Sequence, residues 1–328
     1  MENGKKLQMN YKLKKISGDA SFREFYRLKK NNKTSIIVSA KKDQYKNLIV
    51  YSTVNNILNS NKICAPKLIS NHYKNNMIEI SDLGEKSFFD FIILKKNKIN
   101  NYKSLIRLIF KLQKIKLKKN YNLGKFKVKF SKYTLNSLHK ESDLFFDWYL
   151  RYSLKNKNIS KIKKLLRAEL NKVYKSLNFK NNTFVHRDFH VSNIMIDKKK
   201  LGLIDSQDAI IGNPLYDVAS LIDDVRIKLP QDLQNKLFKF YYKGSKYKNE
   251  KEEKLKNDFD ILSLQRNLKI LGIFVRLYKR DNKSNYLKFL PYTWLLIERR
   301  LKNPIFKNLN LLMKKTLPIK RLKRLKKI

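Results

Sequence analysis

Short alternating runs open the chain. Tyr11–Ile16, with Tyr11, Leu13 and Lys15 on one face, then Phe22–Leu28 and Ser35–Val38, each predict a strand. The polar stretches Ser17–Ser21 and Lys30–Lys33 predict the turns between them. Residues 46–59 carry Leu48, Tyr51, Val54 and Leu58 near helical spacing, which predicts a helix. Asn76–Ile80 reads as a further strand, closed by Asp82-Leu83-Gly84. After that the pattern turns helical. Leu105, Leu108, Ile109 and Leu112 form an amphipathic face, and Leu138–Leu150 and Ile162–Leu177 continue in that mode. From Thr183 to Leu215 the texture breaks into short apolar pieces separated by Asp, Asn and Gly, and from Leu215 to Leu312 it is helical again. The expectation is an α+β chain: a small strand-rich piece over residues 1–84, a larger helical piece over 85–312 with an irregular polar insert, and a basic tail over 313–328.

Composition narrows the class. The 328 residues leave room for about two domains, and 42% hydrophobic residues can bury a core. One cysteine, Cys64, excludes an intramolecular disulfide framework, and with four histidines it leaves no zinc cluster of ordinary spacing. No apolar h-region opens the sequence and no run approaches the ~20 apolar residues of a membrane span, so a cytoplasmic protein is expected. The net charge of +48 would suit a nucleic-acid or anionic-membrane binder. Lys and Asn are spread over nearly every block of ten, however, and the charge is read as a compositional bias. Nucleic acid is therefore not expected as a partner. Two stretches are denser: residues 91–140, with fifteen Lys/Arg and no acid, and Lys314–Ile328, with eight and none. In the tail Leu322, Leu325 and Ile328 recur at i, i+3, i+6, a face for peripheral contact with an anionic membrane or, more simply, a solvated basic end with one weakly packed face.

In so basic a chain the acids stand out. Residues 188–224 hold seven of the 27, all aspartates: Asp188, Asp197, Asp205, Asp208, Asp217, Asp223 and Asp224. Ile194–Ile196 and Leu201–Ile204 are strand-like runs joined through Asp197-Lys198-Lys199-Lys200, which predicts a hairpin. A turn centred near Lys199 would set Ile196 opposite Gly202 and Asn193 opposite Asp205, with Cβ atoms ~4.5–5.5 Å apart. Two oxygen-bearing side chains would then meet at its open end. That suits Mg²⁺, which keeps most of its waters and takes one or two protein ligands plus phosphate oxygens. Asp188 would lie at the same end. Asp197 is read as a turn residue, Asp223 and Asp224 as solvated or capping residues, and Asp217 as a helix cap. His186 and His190 are read as buried, hydrogen-bonded supports.

These residues carry a resemblance. His186–Asn193 (HRDFHVSN) resembles the catalytic-loop motif HxDxxxxN of the protein-kinase-like superfamily. Leu201–Ala209 (LGLIDSQDA) resembles its metal-binding segment and Gly212–Asp224 the helix that follows. Together they look like aminoglycoside phosphotransferase-type small-molecule kinases. Ser17–Leu28, Glu141–Leu150 and Gln265–Leu287 are further similar to bacterial N-acetylmuramate/N-acetylglucosamine anomeric kinases. The resemblance implies a protein-kinase-like two-lobe fold, with a small antiparallel-sheet N-lobe and a larger helical C-lobe. It implies ATP and Mg²⁺, with Asp188 as catalytic residue, Asn193 and Asp205 on the metal, and His186 and Asp217 as supports. The nucleotide would lie between the two pieces, its adenine near Glu79 and Asp82, its phosphates covered by Gly18, Asp19, Ala20 and Ser21.

Departures from the family pattern are visible. Only Gly18 lies in the first turn, no lysine ends the Ile36–Ala40 strand, and the helix over 46–59 has no glutamate for the usual ion pair. Lys41 and Arg23 are both open as phosphate contacts. The acceptor site is expected on the helical piece, with Glu141, Trp148, Asp208 and Arg266 as candidates; Arg276 is ten residues beyond Arg266. The expected function is ATP-dependent phosphorylation of the anomeric hydroxyl of an amino sugar, in cell-wall recycling or nucleotide-sugar supply. Alternatives are a kinase of another small alcohol, aminoglycoside or choline-like, and a basic nucleic-acid- or membrane-binding pseudokinase.

Overall fold

The computed structural model describes residues 11–16, 23–30, 33–40, 45–118, 120–154, 158–197 and 200–323. In chain order the first elements are β1 (Tyr11–Ile16), β2 (Glu24–Lys30), β3 (Lys33–Ser39), α1 (Tyr45–Ser60), β4 (Leu68–His72), β5 (Met77–Ser81), α2 (Phe88–Ile92) and α3 (Ile99–Gln113). There follow β6 (Tyr121–Leu123), β7 (Phe126–Val128), α4 (Leu135–Leu144), α5 (Arg151–Ser153), α6 (Ile159–Lys175), β8 (Thr183–Val185), β9 (Ile194–Asp197), β10 (Lys200–Leu203) and β11 (Ile210–Gly212). The chain ends in α7 (Tyr216–Ile222), α8 (Gln231–Gly244), α9 (Glu252–Asp281), α10 (Leu290–Arg300), α11 (Lys307–Thr316) and α12 (Ile319–Lys323). No described helix is long and apolar enough to cross a membrane.

The chain forms two compact units. Unit 1 takes the chain up to Phe91, then Lys118–Phe130 and Ser192–Ala209; unit 2 takes Ile92–Leu117, Ser131–Val191 and the chain from Ile210 on. The division is not a single cut: the sequence enters unit 1 three times.

Unit 1 is built on a five-stranded antiparallel sheet of order β1-β2-β3-β5-β4. Side chains alternate across a strand, so Ile36 and Val38 of β3 and Ile78 and Ile80 of β5 share one face. That face is buried with Leu48 and Tyr51 of α1. β1 lies on one edge, rich in lysine and with Leu13 exposed, a charged edge that disfavours pairing with another chain. β4, on the other edge, carries no alternation in its sequence (LISNH) and was not anticipated from the pattern.

The β9–β10 hairpin also belongs to unit 1, and its register differs from expectation. Asp197 pairs with Lys200, Ile196 with Leu201 and Met195 with Gly202. Two residues separate the innermost pair, the commonest hairpin connection because its turns match strand twist; the expected three-residue turn would have shifted every partner by one. Asn193 therefore meets Ile204, whose N–H donates to the Asn193 carbonyl at 3.0 Å, and Asp205 lies one residue further on. A Cβ at Gly202 would stand 2.7 Å from Leu83 Cδ1, so a larger residue there would have to push that side chain aside.

Unit 2 is helical around α9. A surface helix buries one stripe, whereas a central one is apolar on several sides. Leu255, Phe259, Ile261, Leu262, Leu264, Leu268, Leu271 and Val275 are all buried, and α9 packs against α4, α7 and α10. The closest approach is at Gly272, where a Cβ would fall 2.3 Å from the carbonyl carbon and oxygen of Leu144. Just beyond Leu144 the expected continuous helix widens into one π turn, Phe145–Leu150. Such turns accommodate an extra residue within a helix.

Two expectations for this unit are overturned. Met313, Leu317 and Leu322 of the tail are buried, and Tyr149 Oη donates to the Leu322 carbonyl at 2.8 Å. Up to Lys323 the tail's one apolar face is thus firmly rather than weakly packed, because its sparse apolar residues have buried rings to meet, while Lys314, Lys315, Lys320 and Arg321 stay exposed. Leu325 and Ile328 lie outside the described residues. Asp223 and Asp224 are buried rather than solvated. Arg300 forks onto Asp223 at 2.7 and 2.8 Å and reaches Asp260 at 3.2 Å. Breaking a buried pair of this kind costs about 3–5 kcal/mol.

Candidate active site

The segment from His186 to Asn193 passes from unit 2 into unit 1 after Val191. In unit 2, β8 pairs with β11, Val185 opposite Ile210, and leads into the loop. Asp217, in the first turn of α7, accepts from the His186 N–H at 2.7 Å and from the Arg187 N–H at 3.0 Å. It acts on the loop rather than as the cap of its own helix, whose N-cap is Leu215. Burial raises the Asp217 carboxyl above its ordinary value, against the opposing pull of His186 and the two backbone donors. Arg187 has a left-handed backbone, φ +75°, which a non-glycine residue rarely adopts. Its carbonyl accepts from Arg266 Nη1 at 2.9 Å. The next residue is Asp188, half-buried, whose carbonyl accepts from the His190 N–H at 3.1 Å. Asp224 accepts from the Val191 N–H at 3.3 Å. Three carboxylates and one guanidinium thus hold the loop.

The third of those carboxylates is Glu141. Its Oε1 takes Arg187 Nε at 3.0 Å, Arg187 Nη2, and Lys269 Nζ at 3.1 Å. Its Oε2 takes the hydroxyls of Tyr133 at 2.7 Å and Tyr216 at 3.2 Å, and Gln265 Nε2 at 3.0 Å. Both oxygens are engaged by side chains of this chain, so the acceptor contact expected of Glu141 gives way to a role inside the protein. Arg266 is likewise occupied, on the Arg187 carbonyl and over the Tyr216 ring at 5.0 Å. Trp148 is half-buried in the π turn and stacks on Tyr152. Arg276 is half-buried, and its Nε finds no hydrogen-bond partner among the described residues.

His186 differs from expectation too. His186 is fully buried, yet neither ring nitrogen has a hydrogen-bond partner among the described residues; the ring meets Phe189 edge-on. Burial, with Arg226 nearby, holds the His190 imidazole well below its ordinary pKa.

Burial alone would raise the Glu141 carboxyl; Lys269 and Arg187 beside it, with the Tyr133 hydroxyl, overcome that and hold it far below the ordinary range. A group whose pKa is depressed by folding stabilises the fold above its unfolded value and loses that contribution as pH falls towards the folded one. Glu141 should therefore contribute to acid unfolding below pH ~4.3. Melting temperature followed against pH should fall less steeply on the acid side in Glu141→Gln than in the parent chain, and equal slopes would refute this.

In unit 1, Asn193 and Asp205 occupy successive places at the open end of the hairpin. Asp205 also has a left-handed backbone, φ +63°. Its Oδ1 accepts from Arg23 Nη2 and from Gln207 Nε2 at 3.2 Å. Its Oδ2 accepts no hydrogen bond among the described residues, and the side chain is 35% exposed. Arg23 is buried, sits over the rings of Phe25 and Tyr51 and donates to Gln207 Oε1 at 2.6 Å. Of Arg23 and Lys41, Arg23 is therefore the one seen beside Asp205; Lys41 lies outside the described residues. Asp208 is exposed and accepts from Gln207 Nε2 at 3.0 Å.

The donor set fits Mg²⁺. One carboxylate with an open oxygen and one amide suit an ion that completes its shell with water and phosphate oxygens. Among the described residues no group of three or more His, Cys, Asp or Glu could hold a metal by itself. Of the residues expected near the adenine, Glu79 accepts from Ser35 Oγ at 2.6 Å and Ser70 Oγ at 3.3 Å. Asp82 is held by the Arg27 fork at 2.6 and 3.1 Å and by the Gly84 N–H at 2.9 Å. Gly18, Asp19, Ala20 and Ser21 lie outside the described residues.

Sequence reading did not assign Arg187, Lys269, Gln265, Tyr133 or Tyr216. Gln265 and Lys269 are four apart on α9 beside Arg266, a polar patch on a central helix, which was the available signal.

Residues 97–249 match the phosphotransferase enzyme family. The chain is 26% identical over 290 residues to an N-acetylmuramate/N-acetylglucosamine kinase of Pseudomonas aeruginosa, covering 86% of this chain and 81% of that protein. Its fold is similar to that of a Plasmodium vivax ethanolamine kinase, with a TM-score of 0.62 at 15% identity, covering 91% of this chain and 84% of the other. It is also similar to an ADP-bound aminoglycoside phosphotransferase, with a TM-score of 0.58 at 13% identity, covering 92% and 95%. The motif-bearing residues 97–249 thus carry the match to the phosphotransferase enzyme family, and the fold is shared with solved phosphotransferases over most of the chain.

Proposed function

We propose that the chain is an ATP-dependent kinase of a small-molecule alcohol, and that its acceptor is an amino sugar of the N-acetylmuramate/N-acetylglucosamine type, phosphorylated at the anomeric hydroxyl. The observation that carries the chemistry is the loop around Asp188, a half-buried carboxylate whose neighbouring peptides are hydrogen-bonded by Asp217, Arg266 and Asp224. Asp188 orients the acceptor hydroxyl and takes its proton as that oxygen attacks the terminal phosphorus and ADP leaves. Asn193 and Asp205 hold Mg²⁺, which when bound neutralises charge on the β- and γ-phosphates. Phosphoryl transfer asks mainly for alignment and charge neutralisation.

The names of the curated relatives support the amino-sugar acceptor. Choline- and ethanolamine-type acceptors are the second reading, from the names of structural neighbours. The residues next to Asp188 in unit 2 disfavour it. Arg187, Arg266 and Lys269 surround the loop, and both Arg266 and Lys269 respond to the charge of Asp188. Arg187 and Lys269 are paired with Glu141, so Arg266 is the cation that weighs against a cationic acceptor and for a neutral or acidic sugar. Such a kinase would suit the recycling of cell-wall sugars.

An acceptor screen tests the proposal: ADP release from Mg-ATP with N-acetylmuramate, N-acetylglucosamine, other hexoses, aminoglycosides and choline. Turnover should be confined to the amino sugars. Turnover with choline or an aminoglycoside alone would replace the acceptor. Absence of turnover with every acceptor, beside retention on heparin or anionic vesicles, would favour a non-catalytic basic protein.

A further inference from the structure

We propose that the Arg187–Glu141 pair is a positioning device for Asp188: the side chain of Arg187 is anchored so that its own backbone keeps the left-handed turn that presents the next residue. The inference rests on the reading of Asp188 as the catalytic base. The strained residue and the base are adjacent in sequence, so a rotation at Arg187 moves Asp188 directly. Left-handed backbone at a side-chain-bearing residue persists only where its surroundings over-determine it. Here they do so from every side. The Arg187 N–H is taken by Asp217, its carbonyl by Arg266, and its Nε and Nη2 by Oε1 of Glu141.

Glu141 is a firm anchor. It is buried and held in turn by Tyr133, Tyr216, Gln265 and Lys269. α4, which carries it, meets α9 without a spacer at Gly272, and the π turn follows within one turn of the helix. Lys269 also gives the glutamate a second cation at 3.1 Å, so Glu141 keeps a partner if Arg187 is removed. The fold can therefore tolerate a change at Arg187 that would disturb the loop. An ion pair serving only as packing would not need to end on the single strained residue beside the base.

Two substitutions separate the possibilities. Glycine enters the left-handed region without a steric cost, and alanine does not. Both lose the fork on Glu141 equally. Arg187→Ala should lower kcat by ~100-fold, the size of effect that follows a displacement of about 1 Å at a reacting group. KM for Mg-ATP should stay close to the parent value, because the metal ligands belong to unit 1. Arg187→Gly should recover a large part of that loss, to within ~10-fold of the parent kcat, because its backbone can hold the turn unaided. Parent-level kcat in Arg187→Ala would overturn the proposal, and so would equal impairment of the two variants. Unfolding of both in thermal melts would overturn it too, by making the pair a fold element only. Asp188→Asn is run alongside. If it retains turnover, the reading of the base fails; if it is inactive while Arg187→Ala is not, only the positioning inference fails.

Discussion

Asp188→Asn is expected to lower turnover by ~10²–10⁴-fold, the range that a placed general base contributes. The amide keeps the shape of the carboxylate but is a far weaker proton acceptor. The loop should survive the change, since Asp217, Arg266 and Asp224 hold it through backbone groups of neighbouring residues. The carbonyl of residue 188 still accepts from the His190 N–H. Binding of Mg-nucleotide should be nearly unchanged, because Asn193 and Asp205 are untouched. Steady-state turnover and a nucleotide titration measured on the same preparation separate the two effects. Near-full turnover of the asparagine variant with every acceptor would remove Asp188 from its role.

Asp205→Ala should act on the other quantity. The carboxylate is the sole acidic ligand proposed for the ion, and its loss should weaken Mg²⁺-dependent nucleotide binding by at least roughly 100-fold, the upper range for losing even an indirect partner of a metal. Arg23 would lose its carboxylate while staying buried over Phe25 and Tyr51 and bonded to Gln207. A lower melting temperature is therefore expected as well. The pair Asp205→Ala and Arg23→Met removes the buried charge along with its lost carboxylate and should recover part of the melting temperature without recovering the metal response. A nucleotide titration with and without Mg²⁺ reads the first effect and thermal melting the second. Mg²⁺-dependent binding that persists in Asp205→Ala would place the ion elsewhere.

The sequence made the long apolar periodicities plain. Leu105, Leu108, Ile109 and Leu112 are all buried in α3, as their spacing predicts. Ile36 and Val38 likewise face the core of the sheet from alternate places in β3. The loop motif and the following aspartate were legible because short spacings fix local geometry. What escaped was set by partners far along the chain. Asp223 reads as a polar residue after a helix until Arg300, 77 residues away, folds onto it. Glu141 reads as a sugar ligand until Arg187 and Lys269 arrive from other elements. The hairpin failed for a local reason: whether two or three residues make the turn is not fixed by three consecutive lysines, and the difference moves Asp205 out of direct opposition to Asn193. β4 and the three-residue β8–β11 pair are too short and too mixed in polarity to show a period.

The threefold entry of the chain into unit 1 has a consequence for biosynthesis. A nascent chain emerges from its amino end, and domains tend to fold as they are made. The sheet of β1–β5 is available early, but the β9–β10 hairpin that belongs with it is not translated until residue 203, and Ala209 closes the unit. A ribosome stalled before Ser192 would therefore display a strand-rich body still missing its last segment, with the lysine-dense stretch of residues 91–140 already exposed to chaperones.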